Sequence, residues 1–185
     1  KVIFWWEWGH RQLGRIIGLA VLLPLIYFSI KEGFWIIKKY GLIFLLVCFQ
    51  GFLGWYMVSS GLVERIDVSH YRLAIHLVTA FIILSIVYWQ FLKLSSSSNQ
   101  TISINLFIVK IFLVLLFLQL IIGAFVSGMD AGKIYNTWPL MGVNYFPDDS
   151  SFKEFLNLKV FDNPSIVQFI HRNLAYLIVA FYTLI

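Results

Sequence analysis

Charged residues are scarce in this sequence. They make up 12% of the 185 residues, whereas hydrophobic residues make up 60%, and the mean hydropathy is +0.83. A soluble domain carries about 25% charged residues, so a water-soluble fold would lack a polar surface. No charge occurs within residues 40–63, 73–92 or 111–129. Each stretch is long enough for a helix to cross a hydrocarbon core, which needs about 20 residues. The sequence therefore predicts a polytopic membrane protein.

Cysteine is nearly absent as well. Cys48 is the single cysteine, which excludes disulfides and paired-cysteine metal sites within the chain. A signal-peptide pattern is also lacking. The chain begins at Lys1 instead of a methionine and ends at Ile185 inside an apolar run. A membrane helix does not end with unpaired backbone groups in lipid, so we expect a fragment cut at both ends.

The basic residues fit a membrane setting. The net charge is +5, but basic residues collect near membrane interfaces, so no nucleic-acid partner is expected. Lysine-rich turns around Lys31, Lys38, Lys39 and Lys93 favour a cytoplasmic location by the positive-inside rule. All five arginines fall on the opposite side, and a raw count of basic residues therefore disagrees. We give the turns more weight, because a bound ligand could account for the arginines.

Hydrophobic patterning predicts an all-α fold, a polytopic transmembrane helix bundle. Short connections join the first and second helices (KEGFWIIKKY) and the third and fourth (KLSSSSNQT), and a long segment from about Ser127 to Pro164 precedes the fifth. A connection of that length is usually functional, often a lid or a binding loop. The predicted membrane helices span about residues 9–30, 41–62, 70–92, 104–127 and 165–185.

All four histidines are predicted to lie on one face of the membrane. Because successive helices alternate in direction, His10, His70, His76 and His171 share that side. Single interfacial histidines are ordinary, but four in one pattern favour function, since ionisable groups in membrane helices are rare. His70 and His76 point about 120° apart at about 100° of rotation per residue, so they do not bind one iron. His76, about two turns inside its helix, suits an axial ligand. His70 is expected at the helix start, as a loop or rim residue.

An internal repeat links the first and fifth helices. WEWGHRQLGRIIGLA and VQFIHRNLAYLIVA share the pattern HR-x-L followed by a small residue, which indicates a tandem duplication of a helix bundle. Histidines on facing bundle helices are how such bundles hold haem. A second echo, QxxxG, places Gln50 before Gly54 and Gln119 before Gly123, and for the glycines we infer close helix packing.

The two copies differ three residues before the histidine, where the first has Glu7 and the second Gln168. A carboxylate beside one site and an amide beside the other suggests proton chemistry at the first and electron transfer at the second. Alternatively, Glu7 forms an i,i+4 pair with Arg11 that stabilises the helix start. Both can hold, because a buried glutamate whose charge is stabilised by an arginine can still act as a base. Arg72, four residues before His76, is well placed for a haem propionate.

Four ordered segments, WEWGHR, VSHYRLAIHL, GAFVSGMDAGKIYNTWPLM and VQFIHR, together resemble the heme A synthase family in its proteobacterial and mitochondrial form. The resemblance covers essentially the whole chain. It implies eight membrane helices in two pseudosymmetric four-helix halves, of which this chain holds five. Residues 1–96 would be the N-terminal half without its first helix, on the substrate haem side. Residues 104–185 would begin the C-terminal half, on the haem b side, with two helices still to follow.

The resemblance also implies an activity, the oxidation of a methyl group of haem O to the formyl group of haem A for cytochrome oxidase. The second axial histidine of haem b would lie beyond Ile185. The residues implied are Glu7 as the catalytic carboxylate, His10 and His76 as ligands of the substrate haem, His171 as a ligand of haem b, and Arg11, Arg72 and Arg172 as propionate contacts.

The expected partners are the lipid bilayer, a haem O synthase and an unidentified electron donor, and homo-oligomerisation is left open. The expected location is the inner (cytoplasmic) membrane, or the mitochondrial inner membrane in a eukaryote. A diheme b-type cytochrome acting only in electron transfer is the main alternative, since its composition and histidine pairing would be similar. A metal-binding transporter or assembly factor comes third, because the discontinuous helices of transporters are lacking.

Overall fold

A computed structural model describes residues 2–61, 68–95 and 105–184. All five predicted helices are present in that part of the chain, and the all-α prediction is confirmed. Most of the two polar connections SGLVERIDV and KLSSSSNQT lies outside the described residues. The helices are α1 (Val2–Glu32), α2 (Trp35–Val58), α3 (His70–Ser95), α4 (Leu106–Gly128) and α5 (Pro164–Thr183).

The first connection is shorter than predicted. Gly33 has a φ of 104°, a left-handed conformation that glycine adopts without steric cost, and its N–H donates to the Ser29 carbonyl at 3.1 Å. The chain therefore reverses within two residues, and α2 begins at Trp35 instead of about residue 41. The start of α1 was also placed too late, because the helix begins at Val2.

Four helices are long and apolar enough to cross a membrane, namely α1 from Phe4 onward, α2, α3 and α4. The protein is therefore a multi-pass membrane protein. The predicted fifth span is a helix, but α5 is not among these four. Its first half carries Gln168, His171, Arg172 and Asn173, which lower its hydropathy.

The chain forms two compact units. The first comprises Lys1–Trp55 and Thr79–Ser97. Large apolar side chains stay exposed along its helices, and exposed apolar surface of that extent suits contact with lipid rather than water. Its lysines lie over aromatic rings, with the Lys39 Nζ 5.5 Å from the Trp35 ring centroid and the Lys93 Nζ 5.3 Å from that of Trp89. Such pairs are typical of the membrane–water interface.

The second unit comprises Tyr56–Val78 and Ser98–Ile185. Its core joins the start of α3, the end of α4 and the start of α5 through Ala74, Ile122, Ala124, Phe125 and Val167. Small residues among these let the helix backbones approach closely. The predicted division near residue 100 stays a prediction.

The long segment between α4 and α5 folds onto the second unit. It contains three short 3₁₀ helices, Ala131–Lys133, Phe152–Leu156 and Leu158–Asp162. Its end is set by Asn163, whose side chain accepts hydrogen bonds from the backbone N–H groups of Ser165 and Ile166 at 3.0 and 3.3 Å. Pro164 follows as the first helical residue, a position where its missing N–H costs nothing. The Asn-Pro-Ser sequence thus starts α5 at a defined residue.

Candidate functional site

His171 lies at the contact between α4 and α5. The Gln119 side-chain nitrogen is 3.1 Å from His171 Nδ1, 3.3 Å from its Nε2 and 3.2 Å from its carbonyl oxygen. Gly123, one turn further along α4, leaves the space beside the ring, since a Cβ there would lie 3.2 Å from His171 Cε1. The packing predicted for the QxxxG pattern is thus confirmed at Gly123. Sequence reasoning missed the contact of Gln119, although a lone glutamine in an apolar helix was a signal.

Gln168 and Arg172 hold the long segment against α5. Gln168 is buried, and its amide donates to the Tyr135 carbonyl at 2.9 Å. Arg172 donates to the same carbonyl through Nη2 at 2.7 Å and to the Thr137 carbonyl through Nη1 at 2.8 Å. These carbonyls belong to the IYNTWP stretch, which has no ladder of its own to satisfy them. Arg172, expected near a propionate, is therefore already bonded to the segment that follows α4.

Two carboxylates organise the rest of this segment. Asp148 accepts from the Val143 N–H at 2.6 Å and from the Asn144 side chain at 2.7 Å, and these bonds hold the pKa of its carboxyl below the ordinary value. Burial favours a higher pKa for Asp149, but hydrogen bonds from Ser165 and Tyr135 outweigh it, and the net pKa is lowered. The pKa of the Tyr135 hydroxyl is raised, by burial first and then by its bond to Asp149. The segment is thus built on ionised carboxylates.

His70 begins α3, as predicted, but it is buried rather than at a rim. Its Nε2 lies 3.3 Å from Asp162 Oδ1, and the Tyr71 hydroxyl donates to the same oxygen at 3.0 Å. Gly128 permits the approach, since a Cβ there would come within 2.8 Å of His70 Cβ. His70 therefore ties α3 to the end of the long segment. The sequence carried no signal for this contact, because 92 positions separate the partners.

His76 also lies in the second unit, six residues into α3, and is half-buried. Arg72, one turn before it, stacks over Tyr56 with its Cζ 3.9 Å from the ring centroid, and its Nη1 donates to the Tyr56 carbonyl at 2.9 Å. The predicted shared face of Arg72 and His76 follows from their spacing on one helix. The tyrosine contact adds a restraint on the arginine that the sequence did not predict.

Glu7, His10 and Arg11 lie on α1 in the first unit, where all three are exposed. Arg11 Nη2 is 3.1 Å from Glu7 Oε2, so the predicted i,i+4 pair is present. The side chains of this pair are 58% and 59% exposed, and such pairs contribute little to stability. His10 and His76 belong to different units. Their pairing on one haem stays a prediction.

The donor set fits a haem better than a bare metal ion. Among the described residues no group of three or more histidine, cysteine, aspartate or glutamate side chains could hold a metal ion. A haem needs less from the protein, since the porphyrin supplies the equatorial ligands and a neutral imidazole suffices as an axial one. His171, with glycine-made space beside its ring, has the chemistry of such a ligand.

Comparison with known proteins agrees with these features. The model of a family described as cytochrome oxidase assembly protein matches residues 1–185, the whole chain. The chain belongs to this family. No solved structure matches it.

Among curated relatives, heme A synthase of Pelagibacter ubique is 49% identical over 98% of this chain and 54% of its own length. The heme A synthases of Azorhizobium caulinodans and Flavobacterium psychrophilum are 44% and 42% identical, over 97% and 96% of this chain and 53% and 54% of their own lengths. The chain thus spans about half the length of the relatives it matches.

Proposed function

We propose that this chain is part of a heme A synthase of the inner membrane, which oxidises a methyl group of haem O to the formyl group of haem A. The observation that carries the proposal is the 49% identity to a protein of that name across 98% of the chain. The half-buried His171 imidazole, seated between α4 and α5, supports it.

In this proposal three of the four histidines would hold haem. His10 and His76 would bind the substrate haem O, and His171 would be one ligand of a haem b. When bound, the haems supply redox-active iron. The proposal further requires a second haem b ligand and a redox partner that exchanges electrons with the protein.

The remaining roles belong to charged side chains. Oxidation of the methyl group to the formyl group takes up one oxygen from water and releases four protons and four electrons, and the electrons pass to the redox partner. Glu7 accepts one of these protons, with Arg11 stabilising its ionised form at 3.1 Å. Arg11 and Arg72 contact propionates, for which the guanidinium fork is suited. Arg172 reaches a propionate only with its donors that face away from Tyr135 and Thr137, so its main role is to hold the segment beside His171.

Co-expression of the full-length protein with a haem O synthase, followed by chromatography of the extracted haems, tests the proposal. We expect haem A to appear and haem O to fall. If the membranes hold only haem B and unchanged haem O, the protein is no heme A synthase. A diheme cytochrome acting in electron transfer then becomes the better assignment.

A further inference from the structure

The contact between Gln119 and His171 has an unusual geometry. One amide nitrogen lies within 3.1 and 3.3 Å of the two ring nitrogens. An atom so close to both cannot lie along the in-plane lone pair of either, and it therefore sits against the face of the imidazole. Amide-to-ring contacts of this kind are weak interactions that fix orientation. Gln119 therefore does not occupy the in-plane direction of either ring nitrogen.

A second bond anchors the amide itself. The same nitrogen lies 3.2 Å from the His171 carbonyl oxygen, so Gln119 contacts both the backbone and the ring of one residue. Because the carbonyl belongs to the α5 backbone, the amide is held in place independently of the ring. The ring is thereby restrained against rotation relative to its own helix.

Gly123 restrains the ring from a second position. Its absent Cβ would stand 3.2 Å from His171 Cε1 and 3.8 Å from Nδ1. The space beside Cε1 is thus just wide enough for the imidazole in its present plane. Since Gln119 and Gly123 are four residues apart, they lie on one face of α4. Together they form what we term the imidazole seat, consisting of Gln119 and Gly123.

Stability alone does not explain the glutamine. Its Oε1 is buried and has no hydrogen-bond partner among the residues that the structure describes. Leaving a buried polar atom unsatisfied costs about 1–3 kcal/mol, a cost that an apolar side chain in α4 would avoid. An amide kept at that cost, and placed on a candidate metal ligand, points to a role in binding.

We propose that the imidazole seat sets the plane of the His171 ring as a haem b ligand, with Gln119 as a positioning residue. This rests on the proposed function, because it requires a haem at His171. The plane of an axial imidazole determines how the iron d orbitals split, and neighbours of a metal ligand tune the metal through its orientation. The seat is therefore expected to control the electronic state of the haem more than its retention.

Electron paramagnetic resonance of the full-length ferric holoprotein tests the seat. The low-spin signal that belongs to this site is the one that disappears in His171→Ala. Gln119→Met keeps side-chain length and removes the amide, while Gly123→Ala adds a methyl against Cε1. We expect both variants to keep haem b at the wild-type ratio and to shift the g values of that signal.

Matched controls come from the same unit. Leu118→Met alters a neighbouring, 44% exposed position of α4, and Gly132→Ala adds a Cβ that meets Val126 at an ordinary 3.7 Å. Neither should move the signal. If Gln119→Met loses its haem, Gly123→Ala decides, because it leaves the amide in place. If Gly123→Ala retains haem b and its g values are unchanged, the imidazole seat is wrong and the proposed function is unaffected. If the wild-type protein contains no haem b, the proposed function is wrong.

Discussion

The two copies of the His-Arg motif, one on α1 and one on α5, have different surroundings. In α1 the residue three before the histidine is Glu7, exposed and paired with Arg11. In α5 the equivalent residue is Gln168, 5% exposed and bonded to the Tyr135 carbonyl. One copy forms a local pair on its own helix, and the other holds a distant segment.

This difference accounts for a glutamate in one copy and a glutamine in the other without assigning electron transfer to the second copy. A carbonyl oxygen needs a donor, which an amide has and an ionised carboxylate lacks. The long segment folds back over α5 and brings the Tyr135 carbonyl to Gln168 and Arg172. Glutamine at this position is therefore required by the segment. The idea that the amide marks an electron-transfer site stays a prediction, now with a structural alternative.

Exchanging the two residues should have the largest effect. Glu7→Gln leaves the fold intact, because it removes only an exposed pair worth under about 0.5 kcal/mol. If Glu7 is the base, the same variant binds haem and makes no haem A. Gln168→Glu instead destabilises the fold, because it places a buried carboxylate against carbonyl oxygens at a cost of about 3 kcal/mol. Thermal unfolding and haem chromatography measure the two effects.

Gln168→Leu is the control for this exchange, since it removes the donor without adding a charge. It should cost about 1–2 kcal/mol, less than Gln168→Glu. A Glu7→Gln variant with full haem A production would remove Glu7 from the chemistry. Equal stability losses at residues 7 and 168 would contradict the difference drawn between the copies.

The arginines of the two motifs should differ in the same direction, by a smaller amount. Arg172→Ala leaves the Tyr135 and Thr137 carbonyls without their charged donor, and we expect a loss of about 2 kcal/mol. Arg11→Ala breaks only the exposed pair with Glu7, at a cost of about 0.3–0.5 kcal/mol. Chemical denaturation in detergent compares the two. Trypsin should also cut at Lys133 faster in Arg172→Ala. An unchanged cleavage rate would argue that Arg172 does not hold the long segment against α5.

Much of the fold followed from the sequence because it depends on local properties. Charge-free runs indicated α2, α3 and α4, and hydrophobic patterning predicted all five helices. The positions of His76 inside α3 and of the Glu7–Arg11 pair followed from helical spacing alone. Errors occurred where one residue decides the geometry, as at Gly33, whose positive φ shortened the first connection.

The contacts of the candidate site were less predictable. Gln168 contacts the Tyr135 carbonyl, and His70 contacts the Asp162 carboxylate, across distant positions of the chain. No periodicity encodes such contacts, because they depend on how the long segment folds back over α3 and α5. Gln119 was missed although the sequence held a signal, because a glutamine within a charge-free stretch of α4 indicates a polar partner.

The smallest predicted effect is a pH dependence of local stability, which distinguishes the segment between α4 and α5 from α1. The pKa values of Asp148 and Asp149 are lowered in the folded segment, so their ionised forms stabilise it. That stabilisation is present above the ordinary aspartate pKa of about 3.9 and is lost as the pH falls through the lowered values. Amide protection factors for residues 141–150 should therefore stay constant from about pH 8 to 5 and fall below about pH 4.

Asp148→Asn should lose part of this dependence, since an asparagine accepts with one oxygen at every pH. Protection in α1, where the motif carries the exposed Glu7–Arg11 pair, should not follow the same titration. A parallel fall in both regions would mean that acid loosens the whole protein rather than the carboxylate-held segment.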